Sequence, residues 1–571
     1  MRKFRFLSLV MAIWGVMSFI PSWAEPVPEA DDGTQDLTLK QDSVQVQEHA
    51  DTVEVDTTYV YLIHADFIRY SERINPDAQR LMGNVVFRHD SMYMYCDSAL
   101  FYQERNSFDA YHNVRVEQGD TLFMYGDSLF YDGHAKLLRV RDNVRLENRS
   151  MILLTDSLNY DRNTGLGWFF DGGTLLDDES TLISEYGQFE TSTKLATFID
   201  GVSMESPDYT LTTDTLVYNT NTHTAFISCP TTIVNEDNVI NSSRGQFNTD
   251  NNSAVLLDRS VIEQNHGENR MTGDSIVYDK AAGCMEGFGD VIINNYKDKV
   301  DAHGDYVYYN QENDSAVVTD RALLIEYSAG DSLFIHADTF RIVAYYNDAG
   351  DSVTERQMRG FNKVRAYRPD MQMVADSMVF TTADSSLTLF YDPILWNAGQ
   401  QILGEKIIFY MNDSTIDWAH VIGSALFIQR QDTVYFNQIS GREMRAYFRD
   451  GEIHHANVKG NVQVVFFPLD ADSVMIGMNT TEGPSLTAYF KDRTVDKLVV
   501  YGQSNGIMYP MDQINESKMY LPDFNWFSWI RPRGPEDVFF WRGKRIDQQL
   551  RKSNTNKEVP LPTLNGKKKK K

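Results

Sequence analysis

The sequence predicts an all-β fold built by repetition, with antiparallel strands arranged as a solenoid-like stack. Three observations carry that expectation. A short phrase recurs about every 30 residues along most of the chain. The stretch after each bend signal alternates with a period of two and is rich in Val, Ile, Phe and Tyr, which is strand chemistry. No helix-period segment of useful length interrupts the pattern between about residues 59 and 501. Units of this size cannot bury an apolar face alone and must stack on their neighbours.

The first phrase places an acidic residue before an apolar-aromatic stretch. It reads Asp97-Ser98-Ala99-Leu100-Phe101-Tyr102, then Asp127-Ser128-Leu129-Phe130-Tyr131, then Asp156-Ser157-Leu158-Asn159-Tyr160. Later copies start at Asp214, Asp274, Asp305, Asp338 and Asp376, an early one at Asp66, and worn ones at Glu185, Arg244 and Glu405. A second phrase lies between them: Met82-Gly83-Asn84-Val85-Val86-Phe87, His112-Asn113-Val114-Arg115-Val116 and Asp142-Asn143-Val144-Arg145-Leu146. It returns from Gly289 and Gly460. The Gly, Asn and Asp clusters are bend signals, because those residues tolerate positive φ. Asp97, Asp127 and Asp156 are expected to cap bends or bond neighbouring backbone. About thirteen units result, and residues 58–510 are read as one repeat stack.

The flanks differ. Arg2, Lys3 and Arg5 precede an apolar run from Phe6 to Ile20, and Ser22-Trp23-Ala24 ends it, so residues 1–24 read as a secretory signal peptide. Residues 25–57 are acidic and are expected to be flexible. Residues 511–552 crowd aromatic and basic side chains together and read as a cap or a docking segment, with Trp526, Trp529, Arg531 and Trp541 as its docking candidates. Residues 553–571 form a polar tail that ends in a run of lysines and is expected to be disordered.

Composition excludes several function classes. Among 571 residues, 80 are acidic and 53 basic, for a net charge of -27. Duplex nucleic-acid binders need Lys and Arg to replace counterions, so nucleic acid is not an expected partner. Cys96, Cys229 and Cys284 are too few for a disulfide framework and match no metal spacing. Gly126-Asp127-Ser128-Leu129 and Gly330-Asp331-Ser332-Leu333 spell a serine-esterase motif. A nucleophile needs a unique exposed turn, whereas this phrase recurs with other residues in place of Gly. No Walker loop or dinucleotide fingerprint is present. The reading is therefore a non-enzyme without a cofactor.

Some strands are apolar on both faces, as in Leu122-Phe123-Met124-Tyr125 and Met92-Tyr93-Met94-Tyr95. One face can pack between sheets while the other lines a groove, and Met suits adaptable contact with a ligand.

Leu81 to Phe87, then Met92 to Tyr95, then Asp97 and Leu100-Phe101-Tyr102, resemble the OstA-like family. That family holds the periplasmic lipopolysaccharide-transport protein A and the N-terminal domain of the outer-membrane lipopolysaccharide assembly protein. The resemblance covers most of residues 59–500 as reiterated units. It implies an open-ended antiparallel β-jelly-roll, V-shaped in section, that holds lipopolysaccharide or a related lipid by its acyl chains. It also implies a periplasmic location and partnership with other lipopolysaccharide-transport proteins by strand addition at the sheet ends. The expected lipid contacts are alternating apolar positions of the best-preserved units: Val85, Phe87, Met92, Met94, Val114, Val116, Leu122, Met124, Val144, Leu146, Ile152 and Leu154. The competing expectation is a structural or adhesive β-solenoid with a closed core and no ligand. A third is an assembly scaffold that carries no lipid itself.

Overall fold

A computed structural model describes residues 59–543, apart from 74, 120–121, 149–150, 178–179, 236–237, 265, 280, 311, 314, 329, 347–352, 413–415, 450–451, 471, 473 and 492–493. The expected signal peptide, the acidic segment up to residue 57 and the lysine tail lie outside the described residues. The described chain is all-β, as the repeats predict. Its only helical pieces are short 3₁₀ turns at Gln103–Arg105, Met511–Gln513, Glu516–Lys518 and Glu536–Phe539. No helix among the described residues is long and apolar enough to cross a membrane. The chain divides into two compact units, 59–267 with 273–284, and 268–272 with 285–543.

The first unit opens with long strands in simple antiparallel succession: Asn75–His89, Met92–Tyr102, Ser107–Gln118, Leu122–Asp132, Leu137–Asn148 and Met151–Asp161. Every pairing slips register once near its middle, for example between Met82 and Val85 and between Tyr111 and Val114. The slips coincide with the bend clusters, where Gly83 and Asn84 (φ 77° and 45°), His112 and Asn113, and Asp142 and Asn143 all take positive φ. A bulge of this kind bends a strand and raises its twist without ending it. Each strand therefore passes from one sheet to another at its bulge. We call the sheet holding 85–89 and 92–96 the front, and that holding 98–102 and 107–111 the back.

The two sheets face each other. Phe87 of the front stacks on Phe108 of the back with ring centroids 4.0 Å apart, and Phe101 tilts against Phe87 at 5.4 Å. Both Phe87 and Phe108 are fully buried. Beyond residue 161 the strands break at the corner into separate short ones, but the order holds. The front continues through Gly173–Asp177, Ser180–Ser184, 202–205 and 210–213 to Ser260–Gln264. The back continues through Leu166–Phe169, Tyr186–Glu190 and 195–199 to Ser275–Asp279.

The recurrent acid acquires a role at the corner. Asp66, Asp97 and Asp127 accept from the side-chain amides of Asn84, Asn113 and Asn143, at 2.9, 2.6 and 2.6 Å. Each acid thus holds the bulge of the following strand. Asp156 accepts instead from the backbone N–H of Asn143, at 3.3 Å. The turns at the free rim of the back sheet bond one another through backbone, as in Arg162 N–H to Lys136 C=O and Thr191 N–H to Gly165 C=O.

The second unit repeats the plan. Its front sheet runs from 300–303 through Leu333–His336, Met371–Ala375 and Gln400–Leu403 to Asn505–Pro510. Its back sheet runs from 306–310 through Thr339–Tyr346 and Lys406–Met411 to Thr494–Tyr501. Phe427 of the front meets Phe490 of the back edge-on at 5.6 Å, which marks the inner side.

Candidate functional site

The two walls part within the first unit. A cavity of about 90 Å³, partly open to solvent, lies between them. Its front wall is Leu122, Met124, Leu146, Met151 and Leu153; its back wall includes Leu158, Tyr160, Trp168, Phe169 and Phe198. Its lining is mainly apolar, as in small-molecule sites. Space exists here because glycine replaces bulk at the corner. The ring of Phe169 lies over Gly173 and Gly187, where any Cβ would overlap it.

Most of the expected lipid contacts face inward. Val85, Phe87, Met92, Met94, Val114, Val116, Met124 and Val144 are buried between the sheets. Leu122, Met124 and Leu146 reach the cavity itself. Two expectations need correction. Ile152 and Leu154 stand on the outer side of the front sheet, where Leu154 pairs opposite Arg145 and is 41% exposed. Leu146 pairs with Leu153, so Met151 and Leu153 are the inward residues of that strand. Met151-Ile152-Leu153-Leu154 is apolar at every position, so alternation alone could not say which pair faces in. Sequence reasoning also missed the whole back wall. A signal existed for part of it: Leu158 and Tyr160 share one face of the phrase after Asp156.

Residues 57–214 and 202–267 match the family model described as OstA-like protein. Residues 57–267 are thus similar to OstA-like proteins. The cavity lies wholly within this OstA-like stretch. A search of solved structures finds LptH, the LptA homologous periplasmic component of the conserved lipopolysaccharide transport device from Pseudomonas aeruginosa. That match has 15% identity and a TM-score of 0.16, covering 17% of this chain and 75% of the other. No curated protein matches the chain.

Outside the OstA-like stretch, the aromatic-basic segment has a definite place. After Pro510 the chain turns back as a strap over the outer face of the second unit's front sheet. Phe527 and Ile530 are buried there against Val374, Trp396, Leu426, Ile428 and Phe436, with Trp526 and Trp529 half-buried beside them. Leu426 and Ile428 flank Phe427 in sequence, so they point away from the inner space that Phe427 enters. Met519 closes a second cluster with Val465, Phe467 and Met478.

Buried polar side chains of the sheet hold the strap's backbone. Gln438 donates to the Met519 carbonyl at 2.8 Å and accepts from the Leu521 N–H at 2.8 Å. Gln401 does the same for Asn525 and Phe527, and the Arg365 guanidinium donates to the Val538 carbonyl. Arg531 donates to Gln372 at 2.6 Å. Trp526, Trp529 and Arg531, expected as docking residues, are thus engaged by the chain's own sheet. An apolar strip of strap and an apolar sheet face satisfy each other. Of the four candidates, Trp541 is exposed, at 37%, with the Arg365 guanidinium 5.5 Å from its ring centroid.

Proposed function

We propose that the chain is a periplasmic lipid-handling protein. It shelters lipopolysaccharide acyl chains between the front and back sheets of its first unit and serves as a bridge component in their transport to the outer membrane. The observation that carries this reading is the open apolar cavity between Met124 and Trp168. The OstA-like match supports it. Water does not solvate an acyl chain well, and each methylene removed from water is worth about 0.8 kcal/mol, so about ten of them gain about 8 kcal/mol. Tyr61–His64 and Phe67–Ser71 each pair with Asn75–His89, and both carry exposed apolar residues, Ile63, Phe67 and Ile68 among them. An edge of that kind suits strand addition by a transport partner.

In-cell photo-crosslinking tests the reading. A photoreactive residue at Met124 or Trp168 should give a lipopolysaccharide adduct, and one at the outward-facing Arg145 should not. Folded, exported protein without adducts at either inner position would refute it and favour a closed structural solenoid.

A further inference from the structure

The free rims of the two sheets touch on strands that also line the cavity. Asp90 lies at the front-rim turn between strands Asn75–His89 and Met92–Tyr102. Lys136 and Arg162 lie on back-rim turns, after Asp132 and Asp161. Between the rims, Asp90 Oδ2 takes Lys136 Nζ at 3.2 Å and an Arg162 Nη at 3.3 Å. Below them the imidazole Nδ1 of His89, fully buried, is 2.6 Å from the Tyr131 hydroxyl, to which Arg162 also donates at 3.2 Å. Arg162 follows two residues after Tyr160 of the cavity wall.

This cluster is under-satisfied. The Arg162 side chain is only 9% exposed, yet its Nε has no partner. Asp90 Oδ1 and Gln118 Oε1 are likewise buried without one. Gln118 pairs opposite Leu122, at the cavity's front lip. Two cations share one carboxylate, and a buried guanidinium donor is left over. Buried donors without acceptors are costly and mark places where a ligand atom fits.

We propose that Arg162 and Lys136 bind the anionic, phosphate-class head of the lipid whose chain enters the cavity, with Asp90 as the built-in competitor that occupies both cations when no lipid is bound. This rests on the lipid-handling reading above and adds where the head sits. The incoming oxyanion takes Lys136 and Arg162 from Asp90 and accepts from the spare Nε. Guanidinium and ammonium donors together suit a multidentate oxyanion better than a single carboxylate oxygen.

The test uses the full-length protein and two single-chain amphiphiles with the same twelve-carbon tail, one headed by phosphate and one by maltoside, each below its micelle concentration. Inorganic phosphate is the third probe. The wild type should bind the phosphate-headed amphiphile about tenfold more tightly than the maltoside. Arg162→Gln should abolish that preference and leave maltoside affinity unchanged, while Asp90→Asn should widen it. Lys136→Gln, at a more exposed position, should narrow it and guards against misfolding of the Arg162 variant. Equal affinity for both heads in the wild type, or equal weakening of both in Arg162→Gln, would overturn the head site and leave the groove standing. Inorganic phosphate binding as tightly as the amphiphile would reassign the cations to free phosphate and overturn it too. Binding of neither amphiphile would refute the groove reading itself, and the head site with it.

Discussion

Gln401 ties the C-terminal strap to its sheet with a single side chain. It is fully buried. Its Oε1 accepts from Trp396 Nε1 at 2.9 Å and from the Phe527 N–H at 2.9 Å, and its Nε2 donates to the Asn525 carbonyl at 2.8 Å. Gln401→Met keeps nearly the same volume and removes all three bonds. Two of the three reach the strap, so at about 1 kcal/mol net for each the strap should lose about 2 kcal/mol of its hold. The loss should be local, because a strap can lift without unstacking the strands beneath it. Amide hydrogen exchange reads this directly. The Phe527 N–H and its neighbours should exchange about 30-fold faster, since 1.4 kcal/mol is a factor of ten. Inner-sheet amides such as those of Ile439 and Val464 should keep their wild-type rates. Strap amides within about threefold of wild type would refute the idea that Gln401 anchors the strap. Equal acceleration of strap and inner strands would refute the idea that the strap opens on its own.

Other outcomes rest on the same packing. Gly187→Ala would drive a Cβ into the Phe169 ring, so the variant should lose about 1–3 kcal/mol in thermal unfolding and bind twelve-carbon amphiphiles more weakly as the ring is pushed into the cavity. His336 is held at a pKa of about 4 by burial and by the Arg365 charge, below the ordinary 6.5, while its ring packs on Phe539 of the strap at 4.9 Å. A depressed histidine is neutral when folded. Its stability contribution is therefore full above pH 6.5 and is lost as pH falls from there toward 4, by about 2 kcal/mol at pH 5. Fluorescence of Trp541 should report the strap's end loosening over that window, and His336→Gln should flatten the response. Burial pushes the Cys96 thiol up to about 12, so at pH 8 maleimide should label Cys284 at least 100-fold faster than Cys96 until the protein is unfolded.

Much of this molecule is written locally. Strand chemistry, the unit length and the corner positions all sit within a few neighbouring residues. Asn84, Asn113 and Asn143 could be read as bends because positive φ is a single-residue preference. Even so, the corners prove to be bulges within continuous strands, because the ladder partners resume on the far side of each slip. That Val85 shares a face with Phe87, and Met92 with Met94, was legible from the period of two, but Met92 to Tyr95 is apolar or aromatic on both faces and only packing turns the methionines inward. For Met151 to Leu154 all positions are apolar, and only pairing with Leu146 decides that Leu153 faces in. The strap was legible as a change of composition, but its seat was not. Gln401 and Phe527 are 126 residues apart, and no local preference encodes that meeting. The same holds for Asp90 and Arg162, which belong to different rims and meet only when the two sheets face each other. Period-two alternation by itself determined that there would be two faces. Tertiary packing decided which face encloses the cavity, what covers the other, and where the two walls touch, because those choices depend on contacts between residues far apart in the chain.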